Sequence, residues 1–185
     1  MHKFYHADRS ASLIEGQDIV LDSNNLSRFG TEYWHAINHL PVEEMTDAQL
    51  REFYLEKIRN EPIFSAYTSR MQSMFAANSI EEAAWFALAV EPIPDHPINI
   101  FEIYADRFWT LDMNWLDYKS DLNTMLSYYR KYWYSEISNH APKEGVRRPP
   151  RLEVLIALPA KVGQVVHTVY PSSKGTGRSK AAPVL

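Results

Sequence analysis

The sequence predicts an α+β protein, and three observations carry that prediction. Candidate helices and strands alternate along the chain, but the stretches between strands are uneven and do not form regular crossover units. Two segments begin with helix-capping pairs, and later segments are rich in the β-branched and aromatic residues that favour strands. Hydrophobic residues make up 45% of the 185 residues, which is sufficient for one buried core. We therefore assign a single domain to residues 1–170 and predict a disordered basic tail at residues 171–185.

The N-terminal segment predicts short elements joined by turns. KFYHA, residues 3–7, alternates as a strand does, and GQDIVLD, residues 16–22, predicts a second short strand or a turn. Between them, Ser10 is a candidate N-cap for a short helix that ends at Gly16. Turn-forming residues fill SNNLSRFG, residues 23–30, which predicts a loop.

Two capping boxes mark the clearest helices. Thr46 and Gln49 open a helix over residues 46–60, and Ser79 and Glu82 open a second helix. The apolar face of the first helix is expected to contain Leu50, Phe53, Tyr54 and Ile58. The second helix is expected to end before Pro92, Pro94 and Pro97.

The second half of the chain predicts three strands and one long helix. INIFEIYA, residues 98–105, predicts a strand, and residues 121–137 carry apolar side chains at helical spacing. A basic, proline-containing segment, residues 140–150, predicts a loop. LEVLIAL, residues 152–158, and GQVVHTVY, residues 163–170, predict the last two strands.

The composition limits the classes of function. A formal net charge of −4 argues against an electrostatic grip on nucleic acid by the whole surface, although a local basic patch is compatible with it. The absence of cysteine excludes a thiol nucleophile, disulfides and cysteine-bound zinc, and it fits a reducing compartment. No apolar run has the length of a signal core or a membrane span. We expect a soluble, cytoplasmic protein that does not contact a membrane.

Metal and phosphate motifs are missing from the sequence. Neither standard glycine-rich phosphate loop is present, and there is no serine-elbow motif. His35 and His39 have the i, i+4 spacing of a shared helix face, but a third ligand and the HExxH pattern are lacking. Three aspartates lack the spacing of a calcium loop, and we expect them in a solvated loop around buried Trp109 and Trp115. These aspartates are Asp106, Asp112 and Asp117. We therefore predict no metal site.

Three segments carry the strongest functional signal: FYHADRSASLIEGQ, SRMQSMFAANSIEEAAWFA and RLEVLI. The first contains Tyr5 and His6, the second places Phe75 directly before a helix, and the third places Glu153 at the start of a strand. Their order resembles the ADP-ribosyltransferase superfamily, in the branch whose triad is His, an aromatic residue and Glu. The late strands are similar to those of bacterial toxins that ADP-ribosylate DNA, and the front half is similar to small rifamycin ADP-ribosyltransferases. The whole chain resembles an uncharacterised bacterial family of this kind.

The resemblance implies a split antiparallel β-sheet core with flanking helices, as in ADP-ribosyltransferases, and it implies NAD as the substrate that donates ADP-ribose. Glu153 is the expected catalytic residue, because a carboxylate stabilises the positive charge that develops on the ribose as nicotinamide leaves. The expected NAD-binding groups are His6 at the adenosine ribose, the backbone of Ala7 at the carboxamide, and Phe75 stacked on nicotinamide.

Two further residues, Ser73 and Arg70, are expected to line the same site, with Arg70 facing the diphosphate because its charge and fork geometry suit phosphate oxygens. Arg9, Arg28 and Arg148 are alternatives for this role. The sequence departs from many relatives in having Ala7 where they have glycine and Phe75 where they have tyrosine. Met74 is an alternative occupant of the aromatic position.

The acceptor of ADP-ribose is expected to be RNA or DNA. Relatives that modify arginine usually carry Gln or Glu two positions before the catalytic Glu, whereas this chain carries Arg151. Lys143, Arg147 and Arg148 precede it in a basic loop that suits an anionic acceptor. The resemblance further implies a bacterial toxin or phage-defence effector with a cognate antitoxin as partner.

Two other functions remain open from the sequence. The first is another reaction on the same fold: an NAD-dependent transferase that removes a 2′-phosphate from RNA, or an ADP-ribosyltransferase that acts on protein or a small molecule. The other is a non-catalytic binding module, in which Glu153 is a structural carboxylate.

Overall fold

The computed structural model describes residues 1–138 and 149–171. The strands in these ranges are β1 (His2–Asp8), β2 (Asp18–Ile19), β3 (Ser73–Ala76), β4 (Ile98–Ala105), β5 (Phe108–Asp112), β6 (Leu152–Ala157) and β7 (Ala160–Val169). The α-helices are α1 (Arg28–His39), α2 (Asp47–Arg59), α3 (Ile80–Ala89), α4 (Asn114–Asp117) and α5 (Leu122–Trp133).

The strands form two antiparallel sheets, ordered β1-β4-β7-β2 and β3-β6-β5. Tyr5 and Ala77 exchange backbone hydrogen bonds of 3.0 and 2.8 Å, and this bridge ties β1 to the residue that follows β3. Helix α3 packs on the first sheet, while α1 and α5 contact the second. The predicted α+β class is therefore confirmed.

Strand β6 separates the two main apolar clusters of the molecule. Val154 and Ile156 pack in a cluster shared with β1, β4 and β7. Leu155 points to the opposite side, into a cluster built largely from α2, α4 and α5. Because side chains alternate along a strand, Glu153 shares the Leu155 side and faces the helices.

Helix α1 begins inside the segment predicted as a loop, so the prediction for residues 23–30 is wrong after Ser27. The Ser27 hydroxyl accepts a hydrogen bond from the Gly30 N–H at 3.1 Å and donates to the Met71 carbonyl oxygen at 3.0 Å. A β-carbon at Gly30 would lie 2.0 Å from the same oxygen. A glycine, which disfavours helices, therefore stands in α1 because the helix approaches another backbone segment there.

The short helix predicted from Ser10 to Gly16 is absent. Ser10 instead donates its hydroxyl hydrogen to Asp8 at 3.0 Å, and the Leu13 N–H donates to the same carboxylate at 2.8 Å. Ala11 adopts a left-handed backbone with φ of 50°, which an α-helix does not accommodate. The segment therefore wraps around the buried Asp8 side chain.

The segment around Asp112, expected as a solvated loop, forms β5 and α4. The Asp112 carboxylate is fully buried and accepts hydrogen bonds from the backbone N–H groups of Asn114, Ser138 and Arg151 at 3.0, 2.8 and 3.1 Å. It therefore joins three chain segments. Within residues 1–138 and 149–171, no group of three or more His, Asp or Glu side chains is arranged to hold a metal ion.

The remaining predicted elements are confirmed, and most of their ends are shifted. Both hydrogen bonds of the Thr46–Gln49 capping box are present at the start of α2. At α3 the Ser79 hydroxyl accepts from the Glu82 N–H at 3.1 Å, but the Glu82 carboxylate accepts from the Asn78 N–H rather than that of Ser79. Strand β4 has the predicted bounds.

Some sequence predictions lie outside the described residues. These are the disordered tail beyond residue 171 and the basic loop up to residue 148, with Lys143, Arg147 and Arg148. Among the helices of the described part, none combines the length and apolar character needed to cross a membrane.

Candidate functional site

Glu153 lies at the second position of β6 and is only 4% exposed. Its Oε1 accepts hydrogen bonds from Arg70 Nη1 and from the Tyr132 hydroxyl, each at 2.6 Å. Both bonds to the carboxylate from described residues fall on this one oxygen. Oε2 is thus the oxygen that these two donors leave to another partner.

Arg70 connects Glu153 to a second buried carboxylate. Its Nε donates to Glu52 Oε2 at 2.8 Å, its Nη1 also donates to the Tyr132 hydroxyl, and its guanidinium carbon lies 4.6 Å from the centre of the Phe75 ring. We call Glu52, Arg70, Phe75, Tyr132 and Glu153 the Glu153 cluster. Arg70 is 4% exposed and its donors are engaged within this cluster. This geometry disfavours the predicted role of Arg70 at a diphosphate.

The Glu153 cluster contains two carboxylates and one guanidinium. Burial opposes the charge of Arg70, but the carboxylates of Glu153 and Glu52 outweigh it and hold the pKa of Arg70 well above its usual value. Burial is also the main reason that the pKa of Tyr132 is raised well above its usual value; Arg70 opposes the rise and Glu153 adds to it. Tyr132 therefore remains a hydrogen-bond donor and Arg70 remains a cation. Arg51, which contacts Glu52 at 3.2 Å, supplies a second positive charge at the edge.

Phe75, and not Met74, lies on the side of β3 that faces the cluster. Phe75 is paired with Leu155 and packs in the same apolar cluster. Met74 packs on the opposite side of the sheet. The Phe29 ring from α1 meets the Phe75 ring edge to face, with centroids 4.8 Å apart. Of the two alternatives at the aromatic position, Phe75 is therefore the residue on the Glu153 side of the sheet, in contact with Arg70.

His6 reaches the same strand from β1. Its Nδ1 lies 2.6 Å from the Phe75 carbonyl oxygen, which only accepts, so Nδ1 carries the hydrogen in this contact. Burial lowers the pKa of His6 below its usual value, although the Phe75 carbonyl and Asp8 oppose that shift, while Arg28 adds to it. A neutral ring with hydrogen on Nδ1 leaves Nε2 as an acceptor.

Replacing His6 with asparagine is expected to reduce the loss of stability in mild acid. Because the folded-state pKa is lowered, the unfolded chain binds the proton first, and wild-type stability falls as pH drops below the unfolded value of about 6.5. One proton contributes at most about 1.4 kcal/mol per pH unit. Urea unfolding at pH 7.5 and 5.5 measures the difference. An identical pH dependence in His6→Asn and wild type would contradict the lowered pKa.

The other two predicted site residues, Ser73 and Ala7, lie in strands and make structural contacts. Ser73 is 1% exposed and its hydroxyl donates to the Ser69 carbonyl oxygen at 2.7 Å. Ala7 pairs with Ile100 in the first sheet and packs against the cluster beneath α3. The geometry thus groups Glu153, Arg70 and Phe75 by side-chain contact and adds His6 through the backbone of Phe75.

Two members of the cluster, Glu52 and Tyr132, were not predicted from the sequence. Glu52, Leu55 and Ile58 are the buried residues of α2, so the predicted apolar face of this helix was rotated. Their spacing of three is a helical spacing, and a carboxylate within an apolar stripe is the signal that identifies Glu52. Tyr132 lies among several aromatic residues of α5 and carries no comparable signal.

Together, two antiparallel sheets and a buried carboxylate–guanidinium–phenol cluster define an α+β protein with a polar centre between β3, β6 and the helices. The chain belongs to DUF2441, a family of proteins of unknown function, which matches residues 32–167. All five residues of the Glu153 cluster fall within the matched range, whereas His6 precedes it. A comparison with curated proteins finds no match.

Proposed function

We propose that this protein is an NAD-dependent mono-ADP-ribosyltransferase with an ADP-ribosyltransferase-like split sheet. The observation that carries the proposal is the asymmetric binding of Glu153, whose Oε1 is held by Arg70 and Tyr132 while Oε2 receives neither bond. A carboxylate fixed through one oxygen keeps the other for a ligand. Phe75 lies against Arg70, which binds Glu153. His6 contacts the Phe75 carbonyl oxygen, so the three residues of the proposed triad are connected through Arg70 and Phe75.

The reaction needs a fixed negative charge next to the ribose. The bond from the ribose C1′ to nicotinamide breaks, nicotinamide leaves with the bonding electrons, and the ribose becomes oxocarbenium-like. The Glu153 carboxylate stabilises this cation more than the neutral ribose of the ground state, so it lowers the barrier. The acceptor then bonds to C1′ and loses a proton. Because Glu52 shares the charge of Arg70, Glu153 is not fully neutralised by its own partner.

Arg28 replaces Arg70 as the proposed contact of the NAD diphosphate. Its side chain is exposed, and Nη1 donates to the hydroxyls of Ser10 and Ser12 at 2.6 and 2.8 Å, which orients the guanidinium near His6. Arg9, another candidate, donates to the carbonyl oxygens of Val90 and Pro92 and so holds the loop after α3. The backbone of Ala7 keeps its proposed role at the carboxamide of nicotinamide.

The proposed acceptor is RNA or DNA, and the proposed setting is a bacterial toxin or phage-defence effector with a cognate antitoxin. One support for a nucleic-acid acceptor is the basic sequence before β6. The other is Arg151, which stands two positions before Glu153, where enzymes of the resembled superfamily that modify arginine carry Gln or Glu. A 2′-phosphate-removing transferase on the same fold is the alternative reaction. A non-catalytic module is the alternative of another class, and the 4% exposure of Glu153 is the feature that favours it.

Labelled NAD separates these functions. Purified protein is incubated with NAD labelled in the adenylate and with separate pools of RNA, DNA and protein, and in parallel with 2′-phosphorylated RNA. We expect label in a nucleic-acid pool. In Glu153→Gln we expect the rate of labelling to fall about 10³-fold, as it does when one preorganised electrostatic group is removed from an active site. Glu61→Gln, which removes a carboxylate from an exposed ion pair, is the control. Intact NAD with every pool would overturn the transferase proposal and favour the binding module.

A further inference from the structure

A groove opens at the start of β6, and its lining includes Leu152, the residue that precedes Glu153. It has a volume of about 380 Å³, within the range of small-molecule sites. Its walls come from the first turns of α3 and from the chain that enters β6. The lining includes Glu81, Glu82, Trp85, Phe86, Pro150 and Arg151. Since strand residues advance by about 3.3 Å, the backbone of Arg151 lies about 7 Å from that of Glu153.

Trp85 gives the groove a flat, accessible wall. The side chain is 43% exposed, and Phe86 supports it in an edge-to-face contact with ring centroids 4.9 Å apart. The Arg151 guanidinium lies 4.5 Å from the centre of the indole ring, so one planar cation is already stacked there. An exposed indole next to a guanidinium plane suits the stacking of a further flat ring, as in the recognition of unpaired bases.

Charge at the groove decides which part of a nucleic acid it accepts. Two acids, Glu81 and Glu82, stand on one wall, and Glu82 is engaged through its Oε2 with the Asn78 N–H at 3.0 Å. Among the described residues that line the groove, Arg151 is the cation, and its Nη1 lies 3.5 Å from Asp117. The two carboxylates on this wall repel phosphate, whereas a carboxylate accepts hydrogen bonds from the amino group of a base.

We infer that this groove binds an unpaired nucleobase that bears an exocyclic amino group, stacked at Trp85 and hydrogen-bonded to Glu81. Under the proposed function, which this assignment deepens, the bound base belongs to the ADP-ribose acceptor and is presented to the ribose held at Glu153. The groove itself reads the base, whereas phosphate contacts are common to every oligonucleotide. Cytosine and uracil separate these contributions, because cytosine offers an N4 amino donor and uracil offers a carbonyl oxygen at the same position.

The test measures binding of single-stranded oligo(C) and oligo(U) of 12 nucleotides by fluorescence anisotropy, without NAD. We expect oligo(C) to bind about tenfold tighter than oligo(U), Trp85→Ala to weaken oligo(C) about tenfold or more, and Glu81→Gln to remove the preference. Trp85→Phe retains a ring and is expected to retain most of the affinity. Trp34→Ala is the matched control, since Trp34 is also 43% exposed and lies in a different groove.

The outcomes separate this assignment from the proposed reaction. Loss of oligo(C) binding in Trp85→Ala but not in Trp34→Ala supports the groove, even when no NAD is consumed. Equal binding of the two oligonucleotides, no binding at all, or equal effects of the two tryptophan substitutions overturns it. Transfer of ADP-ribose to nucleic acid that Trp85→Ala leaves unchanged likewise overturns the groove while the transferase stands.

Discussion

Replacing Arg70 with methionine is expected to lower the free energy of unfolding by about 3–5 kcal/mol, the range for removing one partner of a buried ion pair. Arg70 stands between Glu52, which is 0% exposed, and Glu153, which is 4% exposed. Methionine fills part of the volume but leaves two carboxylates close together without the cation that compensates them. The cost arises from these stranded charges rather than from lost packing.

Urea unfolding of wild type and variants at neutral pH measures this effect. Arg130→Met is the matched control, because Arg130 contacts Glu61 at 2.7 Å on the surface, with 44% and 37% of the two side chains exposed. The control is expected to cost less than about 1 kcal/mol. Adding Glu52→Gln and Glu153→Gln to Arg70→Met removes both stranded charges and should recover part of the loss. Equal effects of Arg70→Met and Arg130→Met would show that the cluster is not a buried ionic centre.

The same cluster couples stability to the proposed chemistry. Arg70 and Tyr132 hold Glu153 through Oε1, and Glu52 holds Arg70 from behind, so the charge and direction of Glu153 depend on residues from α2 and α5. A carboxylate that is oriented before the substrate arrives loses little energy to reorganisation in the transition state. The ionic centre therefore supplies the fixed, oriented carboxylate that the proposed chemistry needs.

Much of the fold is readable from local sequence because local interactions form it. Helices α2 and α3 are predicted by the side chains that cap their first turns. The hydroxyls of Thr46 and Ser79 both accept the expected backbone hydrogen bonds. Strand β4 is a run of β-branched and aromatic residues between prolines and a turn, and its bounds were predicted without error. These signals need no knowledge of the rest of the chain.

The site is less readable because its contacts join distant parts of the chain. The sequence motif correctly predicted that Glu153 and Phe75 lie on strands. Arg70, in contrast, is buried, because its guanidinium binds Glu52 and Tyr132. Nothing near Arg70 in sequence distinguishes a buried arginine from one that faces a diphosphate. Tertiary pairing, rather than residue type, decides between the two.

Helix α1 shows the same limit for secondary structure. Turn-forming residues precede Gly30, and glycine favours a helix less than alanine does, so the local pattern favours a loop. The contact that overrides this preference is the carbonyl of Met71, which also accepts from the N–H and hydroxyl of Ser27 at 2.8 and 3.0 Å. The glycine is explained by a neighbour more than forty residues away.

Replacing Gly30 with alanine is therefore expected to destabilise the protein by about 3 kcal/mol, at the upper end of the range for overpacking. Helix propensity alone predicts the opposite sign, a gain of at most about 1 kcal/mol. The new β-carbon would meet the Met71 carbonyl oxygen at 2.0 Å, and that oxygen belongs to a backbone that cannot rotate away as a side chain does. To relieve the clash, α1 must move and give up the Ser27 bonds to Met71, which also moves Phe29 away from Phe75.

Thermal or urea unfolding of Gly30→Ala measures whether the substitution raises or lowers the free energy of unfolding. Gly16→Ala is the comparison, because Gly16 has φ of 82° and open space where its β-carbon would stand, so only backbone strain of about 1 kcal/mol is expected. A stabilised Gly30→Ala would mean that α1 does not approach Met71 closely. A loss clearly larger than that of Gly16→Ala would instead establish that backbone contact sets the position of α1, and with it the position of the aromatic ring beside Phe75.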